Sequence, residues 1–80
     1  LFIQLLYTMK KIKKIKIKIN GKQKMVQDNI TISKLVKNLK IPIKKVAIEL
    51  NQEIVNKKKL DTIFLKNNDK IEIVHFIGGG

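Results

Sequence analysis

The side chains that most often perform chemistry are scarce in this 80-residue chain. It contains no cysteine, which excludes a thiolate nucleophile, a disulfide framework and a thiolate zinc site. Its single histidine, His75, cannot form a metal cluster alone, and nothing nearby in sequence would orient it as a general base. We interpret His75 as a strand residue on a partner-facing surface. The chain therefore lacks a catalytic triad, a metal site and a phosphate-binding loop.

Three glycines, Gly78, Gly79 and Gly80, end the sequence directly after an apolar segment. They have no side chain to contribute to a core, and ordering them carries a large loss of backbone entropy. In an arbitrary protein they would be a frayed tail or a cloning scar. A tail without side chains can also thread a narrow channel and present its α-carboxylate to a nucleotide on another protein. Four residues beyond the sheet would reach about 13 Å.

The elements that must hold this tail begin with a predicted β-hairpin. Residues 15–19 alternate strictly between isoleucine and lysine, the pattern of a half-buried strand. Asn20-Gly21 follows, and this dipeptide favours a type I′ turn because both turn positions require positive φ. Residues 22–27 are the predicted returning strand.

A single helix is predicted next, with Thr31 as its N-cap. One apolar stripe recurs at i, i+3, i+4 and i+7: Ile32, Leu35, Val36 and Leu39. Pro42 should end the helix at or just before Ile41.

The second half of the sequence predicts three more strands, at residues 46–51, 52–55 and 71–77. Residues 56–60 are a polar connector with one helical turn, from which Leu60 points inward. The order ββαβββ predicts an α+β fold in which a mixed sheet wraps one helix, as in the ubiquitin-like β-grasp. We expect one shared core that includes Ile15, Ile17, Leu35, Leu39, Ile48, Ile71 and Ile73.

The predicted organisation is an N-terminal extension at residues 1–8, a β-grasp domain at 9–77 and a flexible glycine tail at 78–80. The extension is apolar but too short to cross a bilayer, and its lysines follow the apolar stretch, unlike those of a signal peptide. We therefore expect Met9 to be the natural first residue, a cytoplasmic location and no membrane partner.

The formal net charge of +12 comes from 18 basic residues, all of them lysine. Lysine, isoleucine and asparagine fill half of the chain, a bias typical of A/T-rich codons. Recognition of phosphates and bases would favour arginine. We therefore predict a solvated lysine surface and no nucleic-acid partner. We interpret residues 57–59 as a solvated connector, with a docking patch as the alternative. The alternative is a lysine-rich RNA-binding module, although the aromatic residues are scattered.

Two segments carry a resemblance to a known family. Residues 46–55 are similar to the pattern V-A-x-x-x-N-x-x-x-V, and residues 68–74 lead into Phe76, Ile77 and the glycines. Over residues 9–80 the chain resembles the ThiS sulfur carriers of thiamine biosynthesis. The family often has Gly-Asp where this chain has Asn68-Asp69, a change that a turn tolerates.

The resemblance implies a protein co-substrate and not an enzyme. An E1-like (ThiF-like) adenylyltransferase would use ATP to adenylate Gly80, a cysteine desulfurase system would supply sulfur, and thiazole synthase (ThiG-like) would accept it from the thiocarboxylate. No cofactor is expected to be bound. The small subunit of molybdopterin synthase, another carrier ending in Gly-Gly, is the alternative within the same group.

A docking strip is predicted beside the tail. Val74, Phe76 and Ile77 should stay partly exposed, because an exposed aromatic residue next to a flexible tail is a frequent anchor of protein interfaces.

Overall fold

The computed structural model describes residue 3 and residues 13–76. A five-stranded mixed sheet has the order β2-β1-β5-β3-β4, with β1 and β5 parallel and the other neighbours antiparallel. The elements are β1 (Lys14–Ile19), β2 (Lys22–Gln27), α1 (Ile32–Asn38), β3 (Val46–Leu50), β4 (Glu53–Ile54) and β5 (Lys70–His75), with 3₁₀ turns at Ile43–Lys45 and Lys57–Lys59. One helix packed on this sheet is the predicted α+β β-grasp arrangement. The predicted tail and the extension at residues 1–8 lie outside the described residues, apart from residue 3.

The β1–β2 hairpin has the predicted turn. Asn20 and Gly21 both adopt positive φ, 49° and 82°, as a type I′ turn requires. Ile19 pairs with Lys22, and the ladder continues to Lys14 and Gln27. The alternation of β1 consequently places Ile17 in the core and its lysines in solvent.

The helix begins as predicted and ends earlier than predicted. The Thr31 hydroxyl oxygen accepts a hydrogen bond from the Lys34 N–H at 3.1 Å, which satisfies one free amide of the first turn. The last helical residue is Asn38, and the chain turns away through Lys40, which has a φ of 58°. A left-handed residue after the helix therefore ends it before Pro42 can.

The core lies between α1 and the inner face of the sheet. Five of the residues predicted to share it are buried: Ile17, Leu35, Ile48, Ile71 and Ile73. Ile15 and Leu39 are half-buried and pack against the same cluster, and Leu60 points inward as predicted. The described residues therefore form one core, as expected for a domain of this size.

The β3–β4 hairpin differs from the prediction. Asn51 and Gln52 both have positive φ, 51° and 73°, so they form the turn and leave the ladder. The strand predicted to reach Asn51 ends at Leu50, and the strand predicted at residues 52–55 contains only Glu53 and Ile54. The boundaries were wrong because Asn-Gln is a weaker turn signal than Asn-Gly.

Candidate functional site: the outer face of β5 and the start of the tail

The segment leading to the glycine tail is anchored as far as Phe76. β5 ends at His75, and the Phe76 N–H then donates to the Lys45 carbonyl oxygen at 2.9 Å. Ile77, Gly78, Gly79 and Gly80, the remaining predicted site residues, lie outside the described residues. Phe76 is thus the last position at which the backbone leading to the tail is described.

Asn20 fixes β5 close to that point. β1 and β5 pair in parallel at two positions, Lys18–Lys70 and Ile19–Ile71. Beyond these two pairs, the Asn20 side chain makes the hydrogen bonds that the backbone of a neighbouring strand would make. Its Oδ1 accepts from the Ile73 N–H at 2.7 Å, and its Nδ2 donates to the Ile73 carbonyl at 3.2 Å. The hairpin residue that reverses the chain therefore also holds the last strand.

A second network fixes the other end of β5. Asp69 accepts through Oδ1 from Asn51 Nδ2 at 3.0 Å and through Oδ2 from the Lys66 N–H at 2.7 Å. The Lys70 N–H donates to Asn51 Oδ1 at 2.9 Å. Asn51 and Asp69 belong to the two segments singled out in the sequence. Their role here is structural, since they join the β3–β4 turn to the start of β5.

The side chains of β5 alternate between two surfaces. Ile71 and Ile73 are buried against the helix side of the sheet, whereas Glu72 and Val74 point outward. Val74 is 52% exposed and Phe76 is 53% exposed. The predicted exposure of these two residues is confirmed, and their partner-binding role stays a prediction.

Phe76 has a cationic neighbour that sequence reasoning did not assign. The Lys57 ammonium lies 4.9 Å from the centroid of the Phe76 ring, within cation–π range. The predicted helical turn at Lys57–Lys59 supplies this contact. The first lysine of that run therefore has a specific neighbour at the start of the tail.

His75 is an exposed strand residue opposite Val46 in the β3–β5 register. This agrees with the interpretation of His75 as a strand residue. Within residues 13–76 no three metal-ligating side chains of the His, Cys, Asp or Glu type come together. No helix in the described part of the chain is long and apolar enough to cross a bilayer.

Comparisons with known proteins agree with this geometry. The solved structure of the thiamine biosynthesis protein ThiS from Geobacter metallireducens superposes with a TM-score of 0.74 at 29% identity, covering 82% of this chain and all of that one. The sulfur carrier protein ThiS of Bacillus subtilis is 40% identical over 65 residues, which are 80% of this chain and 98% of that protein.

A third relative is much longer than this chain. The thiazole synthase of Paramagnetospirillum magneticum is 40% identical over 65 residues. The chain spans about a fifth of the length of the curated thiazole synthases it matches, 20% in both cases. The family model described as "ThiS family" matches residues 12–80. With its ubiquitin-like β-grasp, the chain belongs to the ThiS family.

Proposed function

We propose that this protein carries sulfur for thiamine (thiazole) biosynthesis on the α-carboxylate of Gly80 and is itself a co-substrate of other enzymes. The observation that carries the proposal is the 40% identity to a Bacillus subtilis sulfur carrier that this chain covers over 98% of its length. Membership of the ThiS family favours this function over that of a molybdopterin synthase subunit.

The carboxylate must first be activated. With a pKa of about 3.3–3.7, an α-carboxyl group is ionised at neutral pH and is a poor electrophile. An E1-like adenylyltransferase would let a Gly80 carboxylate oxygen attack the α-phosphorus of ATP, releasing pyrophosphate. The acyl-adenylate that forms has AMP as a good leaving group, and ATP belongs to the partner enzyme's chemistry.

Sulfur then replaces oxygen at the same carbon. The terminal sulfur of a persulfide, supplied by a cysteine desulfurase system, would attack the acyl carbon and expel AMP. A second thiol would then attack the sulfur that belongs to the donor protein in the resulting acyl disulfide. A new disulfide forms between that thiol and the donor. The thiocarboxylate leaves with the electron pair of the broken S–S bond.

Thiazole synthase is the proposed acceptor of this sulfur. Support comes from the curated thiazole synthases that contain a stretch 37–40% identical to this chain. A carrier-like region and the named enzyme thus share one polypeptide in those proteins, which is the arrangement expected of two partners in one reaction.

The described geometry suits delivery of a tail to a partner. Phe76 is held by its backbone bond to Lys45 and by the Lys57 ammonium over its ring. Val74, Phe76 and Ile77 would dock on the partner, while Gly78 and Gly79 pass through a channel too narrow for side chains. The reacting atoms must come within about 3–3.5 Å of each other, so a tail that is one residue too short or too long would misplace the carboxylate.

The test is growth without thiamine of a bacterial strain that lacks its own ThiS. The unaltered chain should restore growth, whereas deletion of Gly80, substitution Gly79→Phe or an alanine appended after Gly80 should abolish rescue. The exposed Lys66→Gln variant is the matched control and should rescue fully. Full rescue by the Gly80 deletion would contradict the proposal, as would restoration of molybdoenzyme activity instead of thiamine synthesis.

A further inference from the structure

The antiparallel pairing of β3 and β5 brings two carboxylates together on the outer face of the sheet. Glu49 is directly opposite Glu72, and two pairs further along the ladder Ala47 is opposite Val74. The residues between them, Ile48 and Ile73, are buried, so this outer set points away from the helix. Together with Ile54 and Phe76 they form what we call the carboxylate face: Ala47, Glu49, Ile54, Glu72, Val74 and Phe76.

Backbone hydrogen bonds define the spacing of this pair. The Asn51 N–H donates to the Lys70 carbonyl at 2.8 Å, and the Phe76 N–H donates to the Lys45 carbonyl at 2.9 Å. These bonds make Asn51–Lys70 and Lys45–Phe76 hydrogen-bonded pairs of the antiparallel ladder. Because hydrogen-bonded and non-hydrogen-bonded pairs alternate, Glu49 and Glu72 also form a hydrogen-bonded pair, with Cα atoms about 5.5 Å apart. Two glutamate side chains at this spacing can both reach a single cation, and a guanidinium presents the matching fork of donors.

The pair has no evident value for stability. Like charges directly opposite each other in a sheet are destabilising. The chain has six acidic residues against 18 basic ones, and two of the six stand directly opposite each other. An arrangement that opposes folding points to a role in recognition.

Exposed apolar side chains surround the carboxylates. Ile54, which pairs with Glu49, is 78% exposed, and Val74 and Phe76 are each more than half exposed. Within residues 13–76, these are three of the five large hydrophobic side chains left open to solvent. Exposed apolar side chains grouped with polar ones mark protein interaction sites.

The other half of the same sheet surface has the opposite sign. Lys14, Lys16 and Lys18 alternate with the inward isoleucines of β1, and Lys18 lies beside Lys70 in the β1–β5 register. The sign of the charge therefore changes across the outer surface, from the lysines of β1 and Lys70 at the start of β5 to Glu72 and Glu49. A partner with the complementary pattern can bind in one orientation only.

We propose that the carboxylate face docks on thiazole synthase, and that this enzyme places one arginine between Glu49 and Glu72. The inference rests on the proposed function, which assigns sulfur delivery to that enzyme. Val74 and Phe76 supply the apolar contact, and the carboxylate pair sets the orientation from which the tail enters the enzyme.

Calorimetric titration of the full-length chain into thiazole synthase from the same organism tests this inference. The variants are E49Q, E72Q and the double variant E49Q/E72Q, with E53Q as the matched control because it removes the same charge one position from Ile54. Each single variant should weaken binding about tenfold. The double variant should lose less than the product of the two single losses, since both carboxylates hold one cation. E53Q should stay within about twofold.

Several outcomes would overturn the inference. Wild-type affinity of E49Q/E72Q for thiazole synthase would do so. A loss of affinity in E53Q equal to that of the single variants would do so too, because net charge alone would then explain the effect. A loss confined to adenylyltransferase binding, or no binding of the unaltered chain to thiazole synthase, would also overturn it. The Gly80 deletion keeps the face, so it should bind while failing in the growth test. The growth test therefore detects failure of the proposed function separately.

Discussion

The two faces of β5, a strand of six residues, have different roles: the inner face belongs to the core and the outer face is exposed. On the inner face, Ile71 and Ile73 are 1% and 6% exposed and belong to the core. On the outer face, Glu72 and Val74 are exposed to solvent. Because successive strand residues point to opposite sides, a change on one face leaves the other nearly untouched.

The contrast teaches where each property of the protein resides. The inner face stabilises the fold by removing isoleucine side chains from water, which contributes about 1.5–3 kcal/mol for each fully buried side chain. The outer face contributes little to stability and keeps exposed apolar and charged groups that suit recognition. Each of the following changes tests this division.

The largest expected effect on stability comes from the inner face. Ile73→Ala should lower the free energy of unfolding by about 2–5 kcal/mol, because it leaves a cavity against α1. The neighbouring Val74→Ala should change it by less than about 0.5 kcal/mol. Urea denaturation followed by circular dichroism measures both. Equal losses in the two variants would show that β5 does not separate an inner from an outer face.

On the outer face, Phe76→Ala should weaken partner binding by about 2 kcal/mol, or about thirtyfold in Kd, with the fold unchanged. Phe64 offers a matched control, because it is 54% exposed against 53% for Phe76 and pairs with Thr31, the N-cap of α1, instead of with a strand of the sheet. Titration against thiazole synthase should show near wild-type affinity for Phe64→Ala. If both variants bound equally weakly, exposed aromatic area alone, and not the position of Phe76, would explain the loss.

The network at the start of β5 should have an intermediate effect on stability. Asp69→Ala removes acceptors for the Lys66 N–H and Asn51 Nδ2, and should lower the free energy of unfolding by about 1–2 kcal/mol. Asp28 is the control, since among residues 13–76 its carboxylate accepts a hydrogen bond only from the N–H of the adjacent Asn29. A thermal denaturation series in which Asp28→Ala lost as much as Asp69→Ala would remove the special role of this network.

The smallest expected effect concerns the cation over Phe76. Lys57→Met should weaken partner binding by about 0.5–1 kcal/mol, because the ring loses the ammonium that restrains it. Lys58→Met removes the same charge from the adjacent position and should leave affinity unchanged. The same titration compares them, and identical losses would assign the effect to net charge.

Sequence patterns were sufficient for the local parts of the fold. The Ile–Lys alternation of β1 and the Asn20-Gly21 turn depend on neighbouring residues, and both were predicted correctly. The contact between Asn20 and Ile73 spans 53 positions, and no local pattern signals it. The opposition of Glu49 and Glu72 likewise depends on register, which is fixed only when two distant strands pair. The outer face therefore required the structure, while the tail was evident from composition.

The most direct test of the central claim is intact-mass spectrometry of the chain after incubation with the E1-like adenylyltransferase, ATP and a persulfide donor. The proposed function predicts the mass gain of one sulfur-for-oxygen exchange, mapped by fragmentation to the C-terminal peptide that holds Gly80. The chain without Gly80 should remain unmodified under the same conditions. A mass change on a lysine, or equal modification of the chain without Gly80, would contradict the claim that this protein carries sulfur on its terminal glycine.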